Sequence, residues 1–180
     1  MLPKSLAESQ RVFHGVRFDV HEVKQAGRDG RWHRREAVVH PGAVVVLPVL
    51  DERTLLLIHN ERFAVGRTLW ELPAGTLEPP PETPESCAAR ELIEETGYHA
   101  DQLDPILQFY TSPGFCTERI WAFAATSLTD VGQQLDPSEK ITVEAVSYDR
   151  AMALIHNGQL IDGKSIATLL YYDRFVRTLI

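Results

Sequence analysis

The stretch from Thr83 to Gly97 constrains this chain most, because it marks both ends of a helix. Thr83 is suited to cap the first turn, Pro84 to fill the first helical position, Glu85 to complement the positive end of the dipole, and Gly97 to take the left-handed stop. Between them Ala88, Ala89, Leu92 and Ile93 recur at helical spacing, which predicts a helix over 85–96 with one buried face. Such a helix must be covered by other elements.

The rest of the chain supplies them. Residues 11–39 alternate polar and apolar positions (Val16, Phe18, Val20, Val23), break at Gly27-Arg28-Asp29-Gly30 and resume from Trp32 to Val39, as a hairpin or short antiparallel sheet does. Gly42–Leu50 and Thr54–His59 are aliphatic runs separated by Asp51-Glu52-Arg53, and read as a second hairpin on a buried sheet. Beyond the helix, 106–110 and 118–125 read as strands flanking a loop at 111–117, 141–147 as a further strand, and 149–157 and 165–179 as helices. There is no internal repeat and no long linker, so the expected fold class is mixed α+β, a single structural unit overall.

Composition sets what kind of function this can serve. With 180 residues, 44% of them hydrophobic, the chain should bury roughly 70% of its unfolded surface, so a metal is not needed for folding and would serve chemistry. A net charge of -7 argues against a broad nucleic-acid or membrane surface, and the basic cluster Arg28, Arg31, Arg34 and Arg35 is short and local. Cys87 and Cys116 lack CxxC spacing, which favours reduced thiols in a cytoplasmic protein. The N-terminus lacks the apolar core of a signal peptide, and the longest apolar stretch, 43–50, is too short to cross a bilayer.

Chemistry concentrates in Arg90-Glu91-Leu92-Ile93-Glu94-Glu95. Residues four apart share a helix face, so Glu91 and Glu95 present two carboxylates side by side, with Glu94 at the edge. Hard divalent cations take carboxylate oxygens and bridge substrate phosphates, which makes the pair a platform for phosphoryl chemistry. Taken alone, the run reads first as a solvated charged face with Arg90 paired to Glu94.

The preceding loop shifts the balance toward the metal platform. Gly75, Glu82, Arg90-Glu91-Leu92-Ile93-Glu94-Glu95 and Gly97-Tyr98 resemble the Nudix box, G-x5-E-x7-R-E-U-x-E-E-x-G-U, with U an aliphatic or aromatic residue. One departure stands out: six residues, not five, separate Gly75 from Glu82, which places an insertion in the run Pro79-Pro80-Pro81. The resemblance implies an α/β/α sandwich around a mixed sheet, with 41–180 as the Nudix domain and 1–40 as an N-terminal antiparallel extension for dimerisation and substrate binding. It further implies metal-dependent hydrolysis, with Mg²⁺ or Mn²⁺ held by Glu91, Glu95, Glu94 and the Ala74 carbonyl, and with Arg90 orienting the glutamates.

Residues outside the box resemble the ADP-ribose pyrophosphatase subfamily: Glu71-Leu72-Pro73-Ala74-Gly75, His40-Pro41-Gly42-Ala43-Val44, and Ser112-Pro113-Gly114-Phe115, with Pro113 placed sixteen residues after Gly97 as in that group. By this resemblance Arg62 contacts the diphosphate or ribose, Glu36 and Arg34 lie near the adenine, and Ser112, Pro113, Gly114 and Phe115 line the far end of the site. Glu82 is carried over with the box, while His59 stands where relatives often carry Arg. A loop glutamate usually serves as general base in this branch. Glu139 is the candidate, ahead of Asp136 and Glu144.

The expected substrate is therefore ADP-ribose, split to AMP and ribose 5-phosphate, in a cytoplasmic homodimer. Another nucleotide sugar such as GDP-mannose is the alternative. Retention of Glu91, Glu94 and Glu95 argues against a non-catalytic nucleotide-binding domain.

Other signals carry less. Gly158–Ser165 satisfies GxxxxGK[ST], but a helix-like run precedes it where a P-loop needs a strand, and only 15 residues follow, so it reads as a turn between two helices. Seven histidines without HxxxH or HExxH spacing make a zinc site unexpected. Cys87 lacks an activating base, and Trp32, Trp70 and Trp121 read as packing residues.

Overall fold

The alternation over 11–39 produces a three-stranded antiparallel meander. In the computed structural model, which describes residues 2–78 and 82–177, β1 (Gln10–His14), β2 (Asp19–Ala26) and β3 (Trp32–Val39) pair in that order. The β2–β3 register runs unbroken from Asp19↔Val39 to Ala26↔Trp32. The 111–117 segment returns to this sheet: Val38 N–H donates to the Phe115 carbonyl at 2.7 Å, and Thr117 N–H to the Val38 carbonyl at 2.9 Å. Met1–Gly42 with Tyr110–Arg119 form one compact unit, and Ala43–Phe109 with Ile120–Ile180 form a second.

The second unit carries, in chain order, β4 (Ala43–Pro48), β5 (Thr54–Arg62), β6 (Arg67–Glu71), β7 (Ala74–Thr76), α1 (Pro84–Thr96), β8 (Tyr98–Tyr110), β9 (Arg119–Asp130), β10 (Ile141–Ser147), α2 (Tyr148–His156) and α3 (Gly163–Phe175). The two apolar runs expected to form a hairpin join different sheets. β4 lies between β7, antiparallel, and β9, parallel, whereas β5 lies between β6 and β10, antiparallel to both. The turn itself forms, with Leu50 N–H donating to the Thr54 carbonyl at 2.9 Å, but the strands part after the Val49–Leu55 bridge. β4 is buried at every position, and a strand apolar on both faces is stable where both faces are covered, which an isolated hairpin cannot offer.

Alternation along β4 and β9 assigns the two faces. Val44, Val46, Phe123 and Ala125 pack against Cys87, Ala88 and Leu92 of α1. On the other side Val45, Leu47, Ile120 and Ala122 join Leu55 and Leu57, then Ala151 and Leu154 of α2 and Leu169 and Tyr172 of α3. This is an α/β/α sandwich around a mixed sheet. Each buried Leu or Val contributes about 1.5–3 kcal/mol, so these facing side chains fix the position of α1.

Helix α1 has the ends its sequence predicts. The Thr83 hydroxyl oxygen accepts the Ser86 N–H at 3.2 Å, Pro84 opens the helix, and Gly97, at φ +78°, donates its N–H to the Ile93 carbonyl at 2.8 Å. Strand β8 starts at Tyr98, well before 106, because polar residues alternate along a half-exposed strand there. Strands β6 and β7 are short and lack an apolar run, so they exist through pairing alone. Residues 178–180, including Leu179 at the expected end of the last helix, and Pro79-Pro80-Pro81 lie outside the described residues.

Candidate active site

The site begins where β7 passes the buried face of α1. Glu91 and Glu95 are only 8% and 2% exposed. A Cβ on Gly75 would lie 1.8 Å from Glu91 Oε1, so with Glu91 in this position the β7 backbone approaches its carboxylate through a glycine. Next to it, Ala74 N–H donates to Glu95 Oε2 at 2.8 Å. Burial raises the pKa of both acids, that of Glu95 to about 8; the Ala74 N–H partly offsets this and the neighbouring Glu91 and Glu139 charges reinforce it. Two desolvated carboxylates in this position need positive charge.

Arg90 supplies some of it. Its Nε and one Nη donate to Glu82 at 2.9 and 3.1 Å, and its other Nη donates to Glu91 Oε1 at 2.7 Å and Glu94 Oε2 at 2.8 Å. The Arg90 hydrogen bond holds the Glu82 carboxyl down at about 2, and the same bond raises the guanidinium further. Glu82 is thus an anchor that fixes Arg90 against α1.

Among the described residues no three carboxylate, imidazole or thiol groups stand together as a preformed metal cluster. Arg90 bridges Glu91 and Glu94, whereas Glu95, which pairs with Glu91 on the buried face, accepts the Ala74 N–H. That pair, with the Ala74 backbone beside it and a glycine that leaves it room, is an all-oxygen donor set suited to a hard divalent cation. Cys87 is buried on the same helix and burial pushes its thiol far up, which leaves it inert.

Arg62, at the end of β5, forks onto Glu71 of β6, with Nε and an Nη at 2.7 and 2.6 Å from its two carboxylate oxygens. Glu71 is 1% exposed and also accepts Lys164 Nζ at 2.5 Å. Burial acts to raise this carboxyl, but the two cations outweigh it and hold it below the ordinary range. The Glu95 and Asp162 charges also act to raise Arg62. Glu139, on the loop before β10, acts on the charge of both Glu91 and Glu95, and its own Oε2 accepts the Asp136 N–H at 3.1 Å. Val131 N–H to Gly97, Gln133 Nε2 to Glu95 and Gln134 N–H to Glu94 tie the start of that loop to carbonyls at the end of α1.

Of the fallback bases, Glu144 is hydrogen-bonded to His59 at 3.1 Å and Asp136 holds the Ser138 hydroxyl and N–H. His59 also packs on Trp70, ring centroids 3.8 Å apart. The remaining expected contacts belong to the first unit. There Arg34 Nε donates to Glu22 and Glu36, each at 3.0 Å, and Ser112–Phe115 form a turn closed by Phe115 N–H to the Ser112 carbonyl at 3.1 Å.

Glu71 has no role legible in the sequence by itself, and Lys164 falls within the GxxxxGK[ST] match that is no P-loop. A charged residue between Trp70 and Leu72 in a strand is the signal that points to a buried ion pair.

A buried glutamate pair on a capped helix, against a glycine strand and beside an arginine hub, is the arrangement expected of the box. A family model, the NUDIX domain, matches residues 39–169. The chain belongs to the Nudix family. It is 38% identical to an ADP-ribose pyrophosphatase of Bacillus subtilis (strain 168) over 170 residues, 93% of this chain and 91% of the relative. It is 32% identical to a methanol dehydrogenase activator of Bacillus methanolicus over 168 residues, 91% and 89% of the two chains. A GDP-mannose pyrophosphatase of Yersinia pestis (strain Pestoides F) is 34% identical over 142 residues, 72% and 69% of the two. Among solved structures, an ADP compounds hydrolase shares the fold at a TM-score of 0.83 and 20% identity, with 95% of this chain and 92% of that one covered. In Nudix terms, α1 with β7 is the box. No helix among the described residues is long and apolar enough to cross a membrane.

Proposed function

We propose that this Nudix hydrolase splits the diphosphate of ADP-ribose to AMP and ribose 5-phosphate with Mg²⁺ or Mn²⁺, as a cytoplasmic homodimer. The observation that carries the reading is the Glu91–Glu95 pair, buried beside Gly75 with both acids pushed toward the protonated form. Glu91, Glu95 and the Ala74 carbonyl would hold the ion, with Glu94 as a further ligand. Held by these residues, a divalent cation would supply charge neutralisation on the diphosphate and a lowered pKa for the attacking water.

The chain's own groups do the rest. Arg90, fixed by Glu82, holds Glu91 and Glu94 in orientation. Glu139 takes the proton from the attacking water. Arg62 turns its remaining guanidinium N–H groups to the diphosphate, a bidentate-capable donor for a dianionic ligand. Arg34 with Glu36, and Ser112, Pro113, Gly114 and Phe115, take the adenine and the far end of the substrate. The substrate reading is supported by the relative named ADP-ribose pyrophosphatase; the relative named GDP-mannose pyrophosphatase supports a second reading on the same machinery.

Hydrolysis of ADP-ribose, GDP-mannose, NADH, diadenosine polyphosphates and ATP, each with Mg²⁺, Mn²⁺ or EDTA, tests this by chromatography of products. Metal-dependent AMP release highest on ADP-ribose is the expected result. Activity confined to GDP-mannose would transfer the substrate and keep the site, and equal activity in EDTA would remove the metal from the mechanism.

A further inference from the structure

The Gly158–Ser165 segment is no P-loop, yet its last residues converge on the strand that feeds the Nudix box. Asp162 caps α3 by accepting the Ser165 N–H at 3.0 Å and the Ser165 hydroxyl at 2.5 Å. The Ser165 oxygen accepts the Leu72 N–H at 2.8 Å, two residues before Ala74. From the same turn Lys164 donates to Glu71 at 2.5 Å and to Asp162 at 3.0 Å.

A buried carboxylate needs one cation for neutrality, and Glu71 has two. Asp162, 3.0 Å from Lys164, brings the four groups to formal neutrality, but its charge is already spread over the Ser165 donors and the positive end of α3, so it offsets Lys164 only in part. Glu71 is therefore shared, and Arg62 keeps positive potential that a private Arg62–Glu71 pair would lose. We propose that Lys164 is a positioning residue for substrate binding: by sharing Glu71 with Arg62, it leaves the Arg62 guanidinium oriented and charged toward an anionic diphosphate. This rests on the reading of Arg62 as a diphosphate contact.

The test is binding of inorganic pyrophosphate by calorimetry in Mg²⁺ buffer, with steady-state kinetics on ADP-ribose beside it. Lys164→Met should weaken pyrophosphate about tenfold, and raise KM for ADP-ribose by a similar factor with kcat within twofold, where about 1.4 kcal/mol corresponds to each tenfold. Lys164→Arg should restore both to within threefold, and Lys164→Gln should behave as Lys164→Met, which keeps the test open if the methionine variant fails to fold. In an Arg62→Gln background, Lys164→Met should add nothing further, since both residues act through one guanidinium. Unchanged pyrophosphate affinity, an additive double mutant, or a fall in melting temperature and kcat with KM unmoved would each overturn the proposal, as would absence of pyrophosphate binding by the wild type. Wild-type protein that binds pyrophosphate but leaves ADP-ribose intact would sink the proposed function while the binding arm still decides the role of Lys164.

Discussion

Gly75 and Glu91 are so close that even a methyl side chain would meet the carboxylate. A Cβ on Gly75 would overlap all three carboxylate atoms of Glu91, at 1.8 to 2.4 Å. Either β7 or the Glu91 side chain must then move, and overpacking of this kind costs about 1–3 kcal/mol. A chain with this much core withstands that cost, so Gly75→Ala should fold, with a melting temperature lower by roughly 2–12 °C. Its kcat on ADP-ribose should fall at least about 100-fold, because catalytic geometry tolerates displacement on the order of 1 Å poorly. Steady-state kinetics beside a thermal melt check this; near-normal kcat would mean that Glu91 is not a ligand. The acidic pair itself was legible from spacing, since a helix makes neighbours of residues four apart. The glycine's steric reason was not, because it depends on which strand passes the helix and at what height. Glu71 and Lys164 were hidden for the same reason: they lie 93 residues apart in sequence.

Helix α1 carries a cost that pH exposes. Glu95 is raised to about 8 from an ordinary 4.5, so between those values the folded protein holds a proton that the unfolded chain has released. Stability of the metal-free protein must therefore fall as pH rises through that window, by at most about 1.4 kcal/mol per pH unit for one proton. His40 works oppositely, since burial lowers it below 6.5, but its effect ends near that value. Glu82 is held at about 2, so its contribution is lost only under stronger acid. From pH 6.5 to 8 in EDTA, then, stability should drop about 2 kcal/mol, roughly 4–8 °C in melting temperature. Glu95→Gln should flatten the slope, and saturating Mg²⁺ should reverse it by favouring ionised carboxylates. A flat wild-type profile in EDTA would show that Glu95 is not desolvated. The caps of α1 were readable from single residues, because capping is local. The pairing of β4 was not: an apolar run records that both faces are covered and is silent on which strands cover them. Strand β7 is three residues long and was invisible without its partner, although it shapes the site.

At the scale of the molecule, the two compact units differ in how they manage apolar surface. In the second, the sheets are covered by α1 on one side and by α2 and α3 on the other. In the first, the three-stranded sheet and its turns leave Val12, Phe13, Val16, Phe18 and Trp32 exposed, Val16 fully and Trp32 by 71%. Single exposed apolar residues are ordinary, but five within one small sheet unit make a surface that association would cover. The proposed homodimer gives that surface an occupant, and it was legible in the sequence only as alternation whose second face has no helix to cover it. Light scattering should return a mass twice the 20.3 kDa of one chain. Phe13→Asp with Phe18→Asp removes two aromatic groups whose rings lie 6.2 Å apart and should shift the protein to the mass of a single chain. The acidic pair and its helix lie in the other unit, so the thermal melt of α1 and its pH slope should survive in that variant. A wild-type mass of one chain would remove the homodimer, and a dimeric double variant would move the interface off this sheet.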